Sequence, residues 1–579
     1  MKEPEKKKLT SYLKPYRKES VIAPLFKLLE AFFDLLVPLI VAAMIDNTGL
    51  DGGKIYFYFG LLILMAVLGL TCSVIAQFFA AKASVGFATT LRAELFSHIG
   101  KLSFSDLDRI GGSTLITRLT ADVNQIQTGL NMALRLLLRS PFIVFGAAVM
   151  AFSINVKAAL IFVLAIPVLL FVTSLIMRVS IPLYSKSQSK LDDVTSLTRE
   201  NLTGVRVIRA FNREERSVKE FRKSNDDLTS INLFVGKISA LLNPVTYVLI
   251  NIATVILIKR SALQVELGEL QQGEVVALYN YMLQIIVELI KLASLIITIN
   301  KALACARRVD AVMNTEEGMT YPDKDPEKTQ CETSVEFRDV SFTYPDGGKS
   351  AVSGITFTAK KGETVGIIGG TGSGKTTLIN LIPRYYDRTE GEVLVNGIPV
   401  DRYTKKTINS LVSVVPQKAQ LFSGTIRSNM LLGNEGACDE EILSALEKAR
   451  AAEIVEKKGG LDAAVEQNGR NFSGGQKQRL TIARALVKGG EILILDDSSS
   501  ALDFKTDAEL RKAIKSLKGL TIFIVSQRIS SVRNADTILV LDKGCLVGKG
   551  THDELLRGNE IYRDIYYSQF PEERKEERA

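Results

Sequence analysis

The stretch GGTGSGKT, Gly369 to Thr376, sets four glycines, a lysine and a threonine in the order G-x-x-x-x-G-K-[ST]. Glycines let successive backbone N–H groups close around phosphate oxygens, and a helix N-terminus behind them adds a favourable dipole. Lys375 offers positive charge to the outer phosphates, and Thr376 a hydroxyl to Mg²⁺. The context is the required one, because VGII precedes the loop as an apolar strand and TLINLIPRYY follows it as a helix. The expected nucleotide-binding residues are therefore Gly369, Gly370, Thr371, Gly372, Ser373, Gly374, Lys375, Thr376 and Thr377. Further on, EILILD is an apolar strand ending in Asp496, suited to hold Mg²⁺ through water. A second acid, Asp497, follows at once and opens the serine-rich turn of LILDDSSSALD. These residues predict binding of ATP or GTP with Mg²⁺ without choosing among phosphate-loop machines.

The elements that hold this loop belong to a soluble α/β domain. SVEFRDVSFTY alternates apolar and polar residues as strands do, and EVLVNGIPV carries an Asn-Gly hairpin signal at Asn396 and Gly397. Ahead of that domain the composition changes. The chain has 579 residues, too many for one core. A membrane-spanning helix needs about 20 mostly apolar residues. Six runs qualify: Ser20 to Ile45, Ile55 to Phe79, Arg139 to Ile154, Ala158 to Ile181, Leu241 to Ile258 and Val275 to Ile299. One such run also fits a buried helix of a soluble protein, but six do not.

The stretch NTEEGMTYPDKDPEKTQCET loses apolar periodicity and gains Pro, Gly and charge, as linkers do. The expected organisation is a transmembrane domain over 1–313, a linker over 314–333 and a nucleotide-binding domain with a short charged tail over 334–579. The fold class is a membrane α-helical bundle of six spans with long cytoplasmic extensions, fused to an α/β phosphate-loop domain.

Basic residues set the orientation. Lys2, Lys6, Lys7, Lys8, Lys14, Arg17 and Lys18 crowd the first 18 residues, whereas Asp46 to Lys54 holds only Lys54. By the positive-inside rule the N-terminus is cytoplasmic, and an even number of spans returns the second domain to the same side. No cleavable signal peptide is visible. The net charge of +9 is explained by juxtamembrane basic residues facing anionic membrane lipid, and no nucleic-acid motif is present. Five cysteines show no metal or disulfide spacing. Two inward segments, about Ala80 to Leu138 and Pro182 to Ala240, read as long helical arms. TADVNQIQ (Thr120 to Gln127) and GVRVIRAFNREE (Gly204 to Glu215) are their candidate contact segments.

Polar residues within spans are costly and point to function. Lys27, Glu30 and Asp34 share a face of the first span; Asn243, Tyr247 and Asn251 repeat that spacing on the fifth. Asn280, Gln284, Glu288 and Lys291 do so on the sixth. A polar substrate cavity using Glu30, Asp34, Asn251, Gln284 and Glu288 is expected, with interhelical hydrogen bonding as the structural alternative.

FSGGQKQR, Phe472 to Arg479, narrows the field. Here the sequence resembles the ATP-binding cassette (ABC) family, whose signature motif reads much like it. The resemblance covers almost the whole chain: six spans with two inward arms, then one cassette, as in a half-transporter of the exporter type. It implies that two chains pair and enclose two ATP molecules, each between one chain's phosphate loop and the other's signature motif. It places Tyr344 against the adenine and gives Gln417, in VVPQKAQLF, contact with Mg²⁺ and the attacking water. Mg²⁺ then draws on Thr376, Gln417 and Asp496. Ser473, Gly474, Gly475, Gln476 and Asp503 would reach across to the partner's nucleotide.

Two positions depart from the family pattern. Members that hydrolyse well carry Glu where this chain has Asp497, one methylene shorter. They carry His after the strand where LTIFIVSQRISS has Gln527, which donates a hydrogen bond but takes up no charge. Gln467 also stands where exporters often carry an acid, which weakens the expected transmission contact there. The hydrolytic positions Asp497, Gln527 and Gln417 are thus altered in two of three places, while the binding residues and FSGGQ are intact.

The sequence therefore predicts one subunit of a heterodimeric, ATP-driven exporter of amphipathic small molecules or drugs. Its own site would be degenerate, and its signature would complete the partner's site. The alternatives are a homodimeric exporter of lipid, drug or peptide with slow ATPase activity, or an ATP-gated channel or regulatory membrane subunit. The expected location is a bacterial cytoplasmic membrane.

Overall fold

The computed structural model describes residues 9–47, 52–316, 318–327, 331–345, 347–498, 502–517, 519–571 and 573. Two compact units result, Met1–Gly100 with Ser113–Thr315, and Lys101–Gly112 with Glu316–Ala579.

The first unit is helical. Its elements are α1 (Arg17–Asp46), α2 (Gly52–Ile99), α4 (Gly112–Thr117), α5 (Val123–Leu136), α6 (Arg139–Ile154), α7 (Val156–Thr203), α8 (Val205–Ala210), α9 (Glu214–Ala240), α10 (Leu242–Glu266) and α11 (Gln272–Met313). The short α3 (Phe104–Ile110) belongs to the second unit. A π turn, Arg118–Asp122, joins α4 to α5. Among the described residues, six helical rods are long and apolar enough to cross a membrane: Leu9–Asp46, Gly53–Ile99, Gly112–Ile154, Val156–Thr203, Glu214–Glu266 and Gln272–Met313. With 48 residues each, α2 and α7 run about 72 Å. The expected arms take the end of each rod, residues 80–99 of α2 and 182–203 of α7, about 30 Å apiece.

Spacing decides which face each rod buries. Ala23, Lys27, Ala31, Leu35, Pro38 and Ala42 make one buried stripe on α1 at three- and four-residue intervals. Pro38 lacks an N–H, so the Asp34 carbonyl one turn earlier loses its helical donor. The Gln284 side-chain amide of α11 donates to that carbonyl at 3.2 Å, and the Tyr281 hydroxyl donates to the Leu35 carbonyl at 2.6 Å. The sixth rod thus repairs the proline break in the first, as apolar surroundings require.

The second unit contains twelve described strands: β1 (Thr333–Phe342), β2 (Val352–Lys360), β3 (Thr364–Gly369), β4 (Glu390–Val395), β5 (Ile398–Pro399), β6 (Val412–Val415), β7 (Gly424–Thr425), β8 (Ala464–Val465), β9 (Ile492–Asp496), β10 (Thr521–Val525), β11 (Thr537–Asp542) and β12 (Cys545–Gly550). The main sheet has the order β12-β11-β3-β10-β9-β6, parallel except at the β11–β12 edge. Its inner strands β3 and β9 are buried throughout, which explains their unbroken apolar runs. An antiparallel sheet of order β2-β1-β4-β5 packs beside it, and Asn396 and Gly397 adopt the positive φ of a two-residue hairpin turn between β4 and β5.

The first arm divides between the two units: Lys101–Gly112 belongs to the nucleotide-binding unit and Thr120–Gln127 to the membrane unit, with Asp122 buried against Arg118 and Arg308. A Ser103–Asp106 capping box starts α3. The Phe104 ring lies 4.5 Å from that of Tyr385, and the Tyr386 hydroxyl donates to Asp108 at 2.6 Å. In the second arm, α8 buries no residue.

Candidate nucleotide site and intramembrane cavity

Brought to the same edge of the main sheet are the carboxyl ends of β3, β10, β9 and β6, where open α/β sheets bind ligands. There β3 runs into the phosphate loop, β9 ends in Asp496, β10 precedes Ser526 and Gln527, and β6 leads to Gln417. A cavity of about 390 Å³ is lined by Tyr344, Thr371–Thr377, Gln417, Asp496, Asp497 and Gln527. Of the residues expected to bind nucleotide within this chain, Gly369 and Gly370 stand just behind its wall. A side chain at Gly369 would meet the Leu541 carbonyl at 2.2 Å, which enforces glycine there. The loop ends at Gly374 with φ +94°, and α12 (Lys375–Asn380) starts from it.

Lys375 is buried and donates to the carbonyls of Gly369 and Gly370 at 2.9 and 2.6 Å, and to Ser373 Oγ at 3.3 Å. Burial pulls its ammonium pKa down, opposed by the charges of Asp497 and Asp496. The Thr376 hydroxyl lies 3.2 and 3.1 Å from the two carboxylate oxygens of Asp496. Burial pushes the Asp496 pKa up; the Thr376 bond opposes this and the charge of Asp497 adds to it. A hydroxyl, one carboxylate and the Gln417 amide form the hard oxygen set that Mg²⁺ takes when substrate phosphates supply the remainder.

Asp497 follows β9 in the left-handed region, φ 43°, and its N–H donates to the Val525 carbonyl at 2.9 Å. Gln527 is exposed on the cavity rim, and its carbonyl accepts from the Gln569 side-chain amide at 2.8 Å. Gln569 Oε1 in turn accepts from the Ile529 N–H at 2.9 Å, so the C-terminal helix Glu560–Gln569 pins the backbone around Gln527. No motif signals this clamp, because it joins residues 40 apart or more. Tyr344 is half-buried, and its hydroxyl sits 3.1 Å from that of Thr377.

The signature residues lie outside this cavity. Ser473 caps the helix Gly474–Lys488: its hydroxyl accepts from the Gln476 N–H at 3.3 Å, and its own N–H donates to Gln476 Oε1 at 2.9 Å. Ser473 and Gly474 are exposed, Gly475 and Gln476 half-buried. Asp503, also exposed, caps Phe504–Lys515 by accepting from Thr506. Residues 499–501, between β9 and Asp503, lie outside the described residues.

In the membrane unit, Asp34, Gln284 and Glu288 line a second cavity of about 550 Å³ with Arg139, Asn280 and Lys291. Glu30 stands beside it, paired to Lys27 at 2.5 Å. Asn251 is exposed on α10 outside the cavity, and the Asn243 side chain lies outside the described set. Sequence reading passed over Arg139, because a basic residue opening an apolar run looks like an interfacial anchor. Its guanidinium reaches Glu288 at 2.5 Å and Asp34 at 2.9 Å, joining α1, α6 and α11. Glu288 also accepts from Ser140 at 2.8 Å and Lys291 at 2.9 Å.

Comparisons with known proteins agree with this architecture. The model of the ABC transporter transmembrane region matches residues 20–289, and that of the ABC transporter domain residues 352–500. The uncharacterized ABC transporter ATP-binding protein YfiB of Bacillus subtilis is 36% identical over 576 residues, covering 98% of this chain and 99% of the relative. The ATP-dependent lipid A-core flippase of Desulfotalea psychrophila is 31% identical over 556 residues, with 96% and 93% covered. A bacterial Atm1-family ABC exporter solved with ATP bound shares the fold, with a TM-score of 0.79 at 24% identity over 96% of this chain and 98% of that one. This chain belongs to the ABC transporter family, as an ATP-hydrolysing half-transporter of exporter fold that joins a six-helix membrane domain to one nucleotide-binding domain.

Proposed function

We propose that the chain is one subunit of a heterodimeric exporter of amphipathic small molecules or drugs, with a slow or inert ATP site of its own. The observation that carries this reading is the gathering of Lys375, Thr376 and Asp496 with Asp497 and Gln527 in one cavity, while Ser473–Gln476 and Asp503 stand outside it. The chain then holds Mg²⁺ and ATP through its own phosphate loop and lends its signature to the partner's nucleotide. Thr376, Gln417 and Asp496 hold the metal, and Tyr344 stacks on the adenine. Asp497 orients the attacking water from one methylene too far back, and a misplacement of about 1 Å costs on the order of 100-fold in rate. Gln527 gives the γ-phosphate a hydrogen bond without charge. Phosphoryl transfer rests on positioning and charge, so both changes slow hydrolysis and spare binding.

ATP-driven closure of the nucleotide-binding domains presses on the arms and turns the membrane cavity outward; hydrolysis at the partner's competent site resets it. ATP held at the slow site biases the pair toward association. The N-terminus and nucleotide-binding domain face the cytoplasm of a bacterial cell, and the relative named for lipid A-core flipping supports an amphipathic cargo.

The test is an ATPase comparison of the purified chain alone and with the half-transporter that copurifies. Alone it turns over slowly, and Asp497→Glu combined with Gln527→His raises the rate by about 10- to 100-fold. In the complex, Ser473→Ala depresses activity far more than Asp497→Asn. Brisk turnover by a homodimer overturns the reading in favour of a homodimeric exporter.

A further inference from the structure

The geometry points to Arg139 as the residue that sets which cargo headgroup the membrane cavity accepts, and to a zwitterion as that headgroup. The inference rests on the exporter reading above and deepens it.

Three acids, Glu30, Asp34 and Glu288, meet three cations, Lys27, Arg139 and Lys291, so the cluster is neutral as a whole. Acidic positions on α1 and α11 alone suggest a cationic cargo. Arg139 cancels that suggestion by binding Asp34 and Glu288 at once. The members differ in access. Arg139 is 11% exposed and Glu288 4%, whereas Asp34 is 42% and Lys291 43% exposed. Facing the cavity, then, are one accessible carboxylate and one accessible ammonium, with Glu288 and Arg139 closed behind them. Two buried polar atoms of the wall, Gln284 Oε1 and Arg139 Nε, have no hydrogen-bond partner among the described residues. Arg139 Nε has the Glu30 carboxylate 3.9 Å away, beyond hydrogen-bond distance, so Gln284 Oε1 is the wall atom that a polar group in the cavity would satisfy.

Charge balance selects the occupant. A lone cation at Asp34 competes with Arg139 and leaves one positive charge uncompensated away from bulk water; a lone anion at Lys291 leaves one negative charge. A headgroup carrying both charges satisfies Asp34 and Lys291 together and keeps the sum at zero. A neutral headgroup keeps the sum but excludes water from both groups without replacing it. Val37, Val41, Leu283 and Val287 line the same cavity and suit an alkyl tail. A zwitterionic, single-tailed amphiphile meets all of these conditions.

The experiment uses the full chain, with its copurifying partner, in lipid nanodiscs without ATP. The probes are three dodecyl amphiphiles with a diazirine in the tail, bearing phosphocholine, trimethylammonium or sulfate. Photolabelling of peptides containing residues 34–41 and 280–291 is read by mass spectrometry and normalised to α2 peptides. The zwitterion labels these peptides about tenfold more than either singly charged probe, the effect of roughly one uncompensated charge in a half-wet cavity. Arg139→Gln raises cation labelling by a similar factor, and Arg139→Lys restores the original order. Asp34→Asn, a change at a half-exposed group, raises anion labelling, so the inference stays testable if Arg139→Gln does not fold. Equal labelling by cation and zwitterion in the unaltered chain, or unchanged order in Asp34→Asn, overturns it. Labelling without ATP reports binding alone. Absence of ATP-dependent accumulation in sealed vesicles, with labelling intact, would instead count against the exporter reading.

Discussion

Two charged clusters do opposite jobs in this chain. In the nucleotide-binding domain, Lys375 donates to backbone carbonyls and Ser373, while Thr376 leans on Asp496. These bonds occupy a donor that phosphate would otherwise take up and oxygens that a metal would otherwise take up. In the membrane domain, Arg139, Asp34, Glu288 and Lys291 pair with one another through ion pairs of 2.5 to 2.9 Å. The first cluster is arranged to exchange its partners for a ligand, whereas the second is already neutral and structural at its centre. The hydrogen bonds of Lys375 go to neutral acceptors, whereas the buried centre of the membrane cluster is closed by opposite charges and leaves only Asp34 and Lys291 accessible at its edge.

That contrast can be broken by substitution. The largest effect falls on Glu288→Gln, which takes from Arg139 its most buried counter-charge and leaves only Asp34 and the more distant Glu30. It should cost about 3 to 5 kcal/mol, read as a fall in the unfolding midpoint of the full chain in detergent. A loss below about 1 kcal/mol would mean that the cluster is not structural at its centre. Next, Lys375→Ala should weaken ATP binding by about 30-fold in equilibrium binding, through loss of charge-assisted bonds to phosphate. Its stability should change by no more than about 1 kcal/mol, since the hydrogen bonds it loses go to neutral acceptors and the loss of its charge near Asp496 and Asp497 is offset by removing a buried ammonium. A large loss of stability there would erase the distinction between the clusters. The smallest effect belongs to Asp34→Asn, at the accessible end of the same membrane cluster, with about 1 kcal/mol or less in the same unfolding assay. Equal losses for Asp34→Asn and Glu288→Gln would show that exposure does not grade the network.

Much of this protein was determined locally. GGTGSGKT, EILILD and FSGGQ are short runs whose chemistry depends on neighbours within a strand, a turn and a helix, so the first two carried the phosphate site and the third the resemblance to the family. Apolar runs near 20 residues carried the six membrane rods for the same reason, because a bilayer is a uniform solvent for a whole helix. The tertiary structure decided what depends on distant partners. Arg139 gained its role only when α1, α6 and α11 met around it. Lys101–Gly112 joined the nucleotide-binding unit through the contacts of Phe104 with Tyr385 and of Tyr386 with Asp108, which form across hundreds of residues. Gln569 was silent until its amide bridged the backbone on either side of Gln527's neighbour, Arg528. Spacing along a chain reports what one element can do; charge balance and backbone clamps are properties of several elements at once.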